Sequence, residues 1–252
     1  MPFVPLSYQI LFPIQIYTLQ TIESKKLLLF WYSTRLFVMV TILTKQNSIA
    51  NHFLAELRDV NIQTDRMRFR RNLERLGEIM AYEISKTLEY KSSEIGTPLG
   101  VANTHLLNFQ PVIATIIRAG LPFHQGFLNY FDAADSAFIA AFRHTKKSGE
   151  FEIHKKYQNT PNLDGKIVIM ADPMLATGRS LVLCCKDLLN DYDIKELHIA
   201  TIIASEEGLQ HVKAFLPDVQ LWVGAVDNEL TSKSYIVPGL GDAGDLAFGN
   251  KE

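Results

Sequence analysis

The sequence has few of the residues from which disulfide frameworks and metal centres are built. Its 252 residues include only two cysteines, Cys184 and Cys185. Neighbouring cysteines rarely bridge each other, and their spacing is not that of metal ligands. We therefore expect two reduced, buried thiols in a cytoplasmic protein.

An excess of charge of either sign is also absent. The 25 Lys and Arg residues and 27 Asp and Glu residues give a net charge of −2, so no global field attracts nucleic acid or an anionic membrane. Internal repeats and low-complexity tracts are not visible. The length and the 47% hydrophobic content are those of an ordinary globular protein with a substantial core. We expect neither nucleic acid nor a membrane as a partner.

Residues 1–44 differ in composition from the rest of the chain. They carry only four charged residues, Glu23, Lys25, Lys26 and Arg35. The apolar run at 27–43 resembles a membrane span most, but Arg35 interrupts it and it is short for that purpose. A signal peptide is not indicated. Over a membrane anchor we favour an over-extended reading frame whose true start is Met39. The main domain is predicted to span 45–252.

Beyond residue 45, strand-like runs rich in apolar residues alternate with helical patterns, and the run at 167–170 is unbroken by polar residues. Runs of this kind are typical of strands buried on both faces of a parallel sheet, and they occur at 111–117, 136–142, 167–170, 195–203 and 219–226. Helical patterns occur at 48–60, 65–90, 122–130, 181–189 and 206–216. The alternation predicts an α/β fold with a mostly parallel sheet flanked by helices.

The helix predicted at 65–90 has an apolar face and a basic start. Its apolar residues recur at three- and four-residue steps: Phe69, Leu73, Leu76, Met80, Ile84 and Leu88. Its first turns carry five arginines: Arg66, Arg68, Arg70, Arg71 and Arg75. Because charge runs usually face water, a solvated or subunit-contact face is favoured over an anion or nucleotide effector site.

The stretch KIVIMADPMLATGRS at 166–180 combines a buried strand, an acid and a turn of small residues. Asp172 stands where the strand ends, and residues 176–180 lead into a helix. Such a turn directs successive backbone N–H groups at one point and adds the positive end of the helix dipole. The stretch predicts a phosphate cradle beside a carboxylate, which suits a phosphorylated sugar.

Three further segments could complete such a site. Arg118 follows a buried strand and precedes a glycine turn, a position suited to binding a diphosphate. The polar segment 143–161 predicts a hairpin arm or lid, with His144 and His154 as exposed residues. The segment YIVPGLGDAGD at 235–245 contains too much glycine and proline for a regular helix or strand. It is either a surface loop or a tightly turned backbone that reads a small planar base.

Two of these segments together resemble uracil phosphoribosyltransferases. DPMLATGRS at 172–180 is similar to the loop that binds phosphoribosyl diphosphate (PRPP), and 235–245 is similar to the uracil-binding segment. IIRAGL at 116–121 and FRHT at 142–145 match the family in order and spacing. The resemblance covers residue 49 to the C-terminus. It implies a type I phosphoribosyltransferase-like fold with a β-arm near 143–161 and a base-binding hood at 227–249.

The resemblance also implies roles for single residues. Asp172 would hold the ribose hydroxyls, and Arg118 and Arg143 would contact the diphosphate. Asp242 would face uracil, PRPP and its magnesium, so the catalytic set would be Asp172, Arg118 and Asp242. The implied PRPP-binding residues are Arg118, Arg143, Asp172, Pro173, Met174, Leu175, Ala176, Thr177, Gly178, Arg179, Ser180 and Asp242. The implied uracil-binding residues are Ile236, Gly241, Asp242 and Ala243.

The implied reaction converts uracil and PRPP to UMP and diphosphate, a step of pyrimidine salvage. Mg²⁺ would be held mainly through PRPP rather than by protein ligands. The resemblance implies a homo-oligomer and allows GTP as an effector. Two alternatives stay open: an enzyme for another base, and a non-catalytic regulator of the same fold that senses uracil nucleotides and binds RNA. The arginines at 66–75 are the only support for the regulator.

The sequence departs from the family pattern at two positions. Ala171 precedes Asp172 where many phosphoribosyltransferases have a second acid, which narrows the subfamily because uracil-specific members also carry a single acid. Arg179 stands where the family often has a small residue. If this position requires a positive φ, the arginine would cost about 1–2 kcal/mol; alternatively it adds a cation near the phosphate.

Overall fold

A computed structural model describes residues 40–145 and 151–250, with only the backbone described at 141–145 and 151–156. The predicted start at Met39, and all of the membrane-like run except its last four residues, lie outside these ranges. Within the described ranges, the structure contains no helix long and apolar enough to cross a membrane.

Strands and helices alternate along most of the described chain. The strands are β1 (Val40–Ile42), β2 (Tyr90–Thr97), β3 (Gly100–Leu107), β4 (Val112–Ile117), β5 (Ser136–Thr145), β6 (Phe151–Asn159), β7 (Ile167–Ala171), β8 (Met174–Leu175), β9 (Glu196–Ser205), β10 (Gln220–Asp227), β11 (Glu229–Leu230) and β12 (Ile236–Val237). The helices are α1 (Ala50–Arg58), α2 (Arg66–Ser85), α3 (Leu121–Leu128), α4 (Arg179–Asp191), α5 (Glu206–Phe215) and α6 (Ala243–Phe248), with a 3-10 helix at Leu43–Lys45.

The central sheet has the order β1-β10-β9-β7-β4-β5-β6, with β8 pairing to β9. Its pairings are parallel except for β6, which runs antiparallel to β5. Buried residues of α1, α2, α3 and α6 form one core on one face, and those of α4 and α5 form a second core on the other. The predicted α/β fold with a mostly parallel sheet is therefore confirmed.

Helix α2 buries the apolar stripe that its sequence predicts. Five of the six stripe residues lie in α2 and Leu88 follows it, and all six are buried. The Asp65 carboxylate accepts a hydrogen bond from the Arg68 N–H at 3.0 Å, so it caps the helix start. The helix ends at Ser85, five residues before the predicted end, because the chain turns there into β2.

Sequence patterns did not indicate the hairpin of β2 and β3. These strands pair antiparallel from Tyr90↔Leu107 to Thr97↔Gly100, and most of their residues are exposed. Strand prediction depends on a buried face that imposes alternation. A hairpin that exposes both faces lacks this signal.

The edges of the central sheet differ from the predicted boundaries. At one edge, β1 pairs parallel to β10 from Val40↔Leu221 to Ile42↔Val223, so the sheet includes residues from the segment 1–44. At the other edge, β5 and β6 pair antiparallel as far as Thr145↔Phe151. The hairpin arm predicted near 143–161 is thus present in the backbone.

The prediction that 235–245 contains no helix or strand is wrong in part. Ile236 and Val237 pair with β11, and Ala243 begins α6. The Asp242 carboxylate accepts hydrogen bonds from the N–H groups of Gly244 and Asp245 at 2.9 and 3.0 Å. Aspartate is a preferred N-cap residue, so Asp242 could have indicated the start of a helix. The glycines around it led to the prediction of a loop instead.

Candidate active site

The candidate site lies where the chain reverses its direction of progress across the sheet. From β4 the chain moves to β5 on one side, and later returns to β7 on the other. Ligands of open α/β sheets bind at such a switch point, outside the carboxyl ends of the strands. Arg118 directly follows β4 and Asp172 directly follows β7. The Thr115 hydroxyl donates to the Ala171 carbonyl at 2.8 Å and ties the two strand ends together.

The predicted phosphate turn has the left-handed residue that its geometry needs. Gly178 has φ +73° and is the N-cap of α4. Arg179 is the first helical residue, is exposed, and is not among the residues with positive φ. The strain considered for Arg179 therefore does not arise. Burial and then the Arg179 guanidinium lower the pKa of His211, so Arg179 adds positive potential beside the turn.

Asp172 sits in surroundings that disfavour its charged form. Burial of its carboxyl raises the pKa to about 7, and a hydrogen bond from the Met174 backbone acts in the opposite direction. The residue nevertheless keeps part of its surface accessible. A carboxyl of this kind gains from ligand hydroxyls that bind and stabilise its anion.

Beneath the carboxyl, α4 packs its two cysteines into the core. Cys184 and Cys185 are buried and are not bridged, which agrees with the expected reduced thiols. Burial, followed by the charges of Cys184 and Asp172, raises the pKa of Cys185 well above its ordinary value.

Two residues of the β9–α5 junction support the phosphate turn, and sequence reasoning missed both. The Ser205 hydroxyl donates to the Ala176 carbonyl at 2.6 Å and accepts from the Gly208 N–H at 2.9 Å. Gly208 lies against the backbone of the turn: a Cβ at this position would be 2.2 Å from the Ala176 oxygen and 2.8 Å from the Leu175 oxygen. The usable signal was Ser205 before a helical pattern, which is an N-cap position.

We expect Gly208→Ala to weaken both the protein and its phosphate turn. The new methyl group would collide with backbone oxygens that cannot rotate away, so stability should fall by about 1–3 kcal/mol. Binding of a phosphosugar at the turn should weaken because the turn must shift. Gly96→Ala is the control, since nothing lies within 4 Å of a Cβ there. Denaturant unfolding and titration with a phosphosugar measure the two effects; equal behaviour of the two variants would contradict the supporting role.

Arg118 connects the carboxyl end of β4 to the C-terminal helix α6. Its Nη2 donates to Asp245 Oδ1 at 2.9 Å and to the Gly249 carbonyl at 3.2 Å. The side chains of Arg118 and Asp245 are 38% and 29% exposed, so the pair remains accessible to solvent. The structure therefore places α6, and Asp242 at its start, next to the residue predicted to contact diphosphate.

Further predicted site residues lie in three places: the C-terminal segment, strand β5 and the start of the phosphate turn. Ile236 and Ala243 are buried, and Gly241 has φ +93°, so the segment predicted to hold uracil is firmly packed and turned. Arg143 belongs to the backbone of β5, but its side chain lies outside the described part. Pro173 accepts two backbone N–H bonds from β9 and anchors the turn.

Four of the five arginines at 66–75 have partners within the chain. Arg68 binds Glu56 through two nitrogens, and this contact, with one from Asn72, lowers the pKa of Glu56 to about 2. Their further contacts are Arg71–Glu74, Arg70 to the Ala247 carbonyl, and Arg75 to Asn72 and the ring of Phe53. These contacts agree with the favoured interpretation of the arginines as a solvated face that is bonded within the chain, and the RNA-binding alternative stays a prediction to be tested.

The donor set of the site fits magnesium carried by a substrate. Among the described residues, no group of three or more His, Cys, Asp or Glu side chains could hold a metal ion. Mg²⁺ commonly takes one or two carboxylates together with phosphate oxygens and water. Asp172 and Asp242 could supply such carboxylates at this edge of the sheet.

A phosphate turn, a strand-end acid and a strand-end arginine at a switch point define an α/β protein that binds a phosphosugar or nucleotide. The family model for uracil phosphoribosyltransferase matches residues 43–250. A uracil phosphoribosyltransferase of Porphyromonas gingivalis is 50% identical over 207 residues, covering 82% of this chain and 96% of that protein. The chain belongs to the uracil phosphoribosyltransferase family, as the motifs predicted.

More distant relatives agree with this placement. A uracil phosphoribosyltransferase of Thermococcus gammatolerans is 39% identical over 199 residues, covering 78% of this chain and 87% of that protein. A solved structure of a protein from Aquifex aeolicus superposes with a TM-score of 0.75 at 31% identity. That match covers 84% of this chain and 98% of the solved one.

Proposed function

We propose that this protein transfers the phosphoribosyl group of PRPP to uracil, giving UMP and diphosphate, in pyrimidine salvage. Membership of the family supports the chemistry. The observation that carries the assignment to these residues is Arg118, which follows β4 at the phosphate side and binds Asp245 at the base side. Two half-sites that are far apart in sequence thereby meet at one side chain.

The reaction breaks the bond between C1 of the ribose and the diphosphate oxygen and forms a bond from C1 to a uracil nitrogen. Positive charge develops on the sugar, so catalysis depends on positioning, stabilisation of the leaving group and exclusion of water. The catalytic set proposed here, Asp172, Arg118 and Asp242, lies around the switch point.

On the sugar side, Asp172 accepts hydrogen bonds from the ribose hydroxyls. Those bonds favour its carboxylate form against the burial that raises its pKa. The N–H groups of 176–180 and the hydroxyls of Thr177 and Ser180 hold the 5-phosphate at the start of α4. Ser205 and Gly208 fix the carbonyl side of the same turn, so the N–H groups are preorganised.

On the diphosphate side, Arg118 and Arg143 neutralise the leaving group. Asp242, the N-cap of α6, would help to hold PRPP and its magnesium ion. Magnesium supplies further positive charge to the diphosphate when it is bound. The protein contributes the two guanidinium groups and the carboxylate that orient this charged end of the substrate.

On the base side, Ile236 and 241–243 hold uracil through main-chain groups. Gly241 adopts a positive φ that allows the backbone to approach a planar ring closely. The structure of this segment is supported from both sides, by the β11–β12 pairing and by the cap of α6. A homo-oligomer and an effect of GTP remain predictions from the family resemblance.

The assignment is tested by measuring PRPP-dependent release of diphosphate with uracil, hypoxanthine and orotate. We expect turnover with uracil, and turnover lower by about 100-fold or more with the other two bases, in line with the loss when buried polar groups stay unpaired. Turnover on another base with none on uracil would overturn the assignment. Gel-shift measurement with RNA, with and without UMP, should show no specific complex.

We expect Gly241→Val to weaken uracil binding selectively. Space is adequate, since the nearest atom to a new Cβ would be Leu246 Cδ1 at 3.6 Å, but φ is +93°. A β-branched residue there should push the backbone away, raising the KM for uracil by about tenfold or more while the KM for PRPP stays constant.

The matched control is Gly165→Val, which has the same conflict at φ +68° with open space around it. Residue 165 precedes β7 and lies at the amino end of the strand, away from the candidate site. Both variants should lose similar stability, but only Gly241→Val should change uracil kinetics. Unchanged uracil kinetics in Gly241→Val would argue against 241–243 as the base site.

A further inference from the structure

One ion pair occupies both backbone polar groups of Gly239. The Gly239 N–H donates to Asp227 Oδ2 at 2.9 Å, and its carbonyl accepts from Arg58 Nη1 at 3.0 Å. Arg58 and Asp227 are themselves joined by two parallel bonds, Nη1–Oδ2 and Nη2–Oδ1, each of 2.8 Å. The result is a closed ring of hydrogen bonds around a single glycine.

Both residues of the ion pair lie at the ends of regular elements and are largely buried. Asp227 is the last residue of β10 and its side chain is 7% exposed; Arg58 is the last residue of α1 and its side chain is 23% exposed. Burial acts to raise the pKa of Asp227, but the bonds from Arg58 and the Gly239 N–H outweigh it and lower the pKa. Asp227 is therefore a carboxylate at neutral pH, and the pair is charge-assisted.

Gly239 occupies the middle of the base-binding segment. Its φ is +57°, and a Cβ there would be 2.1 Å from the Ile236 oxygen. Ile236 and Gly241, proposed to hold uracil, lie on either side of it. Strand β12 secures the segment before Gly239 and the Asp242 cap secures it afterwards. The Arg58–Asp227 pair thus fixes the part between these two anchors to the end of the central sheet.

We propose that Arg58 and Asp227 are positioning residues that set the main-chain path of 236–242 and so determine affinity for the base. This inference rests on the proposed function. Main-chain groups cannot readjust individually as side chains can, so a base read by the backbone tolerates little displacement of that backbone. Because the N–H and C=O of Gly239 are already bonded, uracil is read by other main-chain groups around Ile236 and 241–243.

The test is Arg58→Lys. A lysine retains the charge but cannot form two parallel bonds to Asp227 and a third to the Gly239 carbonyl. We expect the KM for uracil to rise by about 10- to 100-fold, with the KM for PRPP within about twofold of wild type. Asp227→Asn is the second variant, and it should show the same selective change because it weakens the pair from the other side.

Arg68→Lys is the matched control. Arg68 also binds a carboxylate through two nitrogens, to Glu56 at 2.9 and 2.5 Å, but this pair joins α1 to α2 and not to the C-terminal segment. Its kinetics should equal those of wild type. An Arg58→Lys enzyme with unchanged uracil KM, or with both KM values and kcat altered together, would overturn the positioning role. Failure of both Arg58→Lys and Asp227→Asn to fold would likewise assign the pair to the core.

Amide hydrogen exchange provides a measurement that does not depend on activity. Peptides covering 235–242 should exchange faster in Arg58→Lys than in wild type, while peptides from β7 should not. If wild type fails to use uracil, the proposed function fails, yet the exchange result still decides whether the pair holds this segment. Equal exchange in both proteins would refute the anchoring itself.

Discussion

Asp172→Asn should lower turnover with PRPP and uracil by about 100-fold, since it removes charged hydrogen bonds worth ~1.5–3 kcal/mol to ribose hydroxyls. Asparagine has the same shape and keeps an oxygen that can accept the Met174 bond. The fold should therefore be intact, and the loss should appear in chemistry. Near-native turnover in the Asp172→Asn variant would show that another group holds the ribose.

The pKa of Asp172 adds a pH dependence to this prediction. The value of about 7 in the folded protein lies above the ordinary 3.8, so the folded state binds this proton more tightly than the unfolded state does. The stabilisation is complete below about pH 4 and is lost as pH rises through 7. At pH 8 the asparagine variant, which never bears this charge, should be more stable by on the order of 1–3 kcal/mol.

Activity should follow pH in the opposite sense. If the carboxylate is the active form, kcat/KM for PRPP in the wild type should fall as pH drops below about 7, where the pKa lies. The asparagine variant should lack this acid limb, and its profile corrects for titration of PRPP itself. Initial rates and denaturant unfolding from about pH 5 to 9, for both proteins, measure the two trends. A variant that loses stability at pH 8 would contradict the burial argument.

The second large effect is expected for Arg118→Ala. Arg118 is proposed to neutralise diphosphate, and loss of one such preorganised donor typically costs about 100- to 1,000-fold in rate. Stability should change little, because its partner Asp245 is 29% exposed and remains hydrated when the guanidinium is removed. Steady-state kinetics should show the loss in kcat and in kcat/KM for PRPP.

Arg71→Ala is a suitable control for Arg118→Ala. Arg71 is 44% exposed and binds Glu74 at 2.6 Å, so it is a similar ion pair on α2, away from the switch point. Its removal should leave turnover unchanged. If the two variants had equal activity, Arg118 would be a structural residue and the contact with Asp245 would be its purpose.

The sequence predicted the central sheet well because burial leaves a strong pattern. Runs such as 167–170 are apolar throughout since both faces of β7 are covered, and the stripe on α2 reflects a single covered face. The hairpin of β2 and β3 was missed for the same reason, as it has no buried face. The edge strand β1 was not predicted either, because a strand of three residues is too short to show any periodicity.

The candidate site could be predicted where a single stretch contains it. Asp172 and 176–180 are contiguous, so their spacing alone defined the cradle. Ser205, Arg58 and Asp227 come from separate elements, and only the fold brings Arg58 to within 2.8 Å of a residue 169 positions away. The backbone conformation of Arg179 could not be predicted from the sequence, because it depends on where α4 begins. Gly178 takes the positive φ as N-cap, and Arg179 is already helical.

The two buried thiols below Asp172 offer a way to detect opening of the protein near the site. A thiol reacts with alkylating reagents only as the thiolate, and burial raises the pKa of Cys185 well above its usual range. Cys184 and Cys185 are the only cysteines of the chain, and both face the core beneath the phosphate turn. Alkylation of either thiol therefore requires a local or global opening that exposes the buried face of α4, so the chain already contains a reporter of such openings.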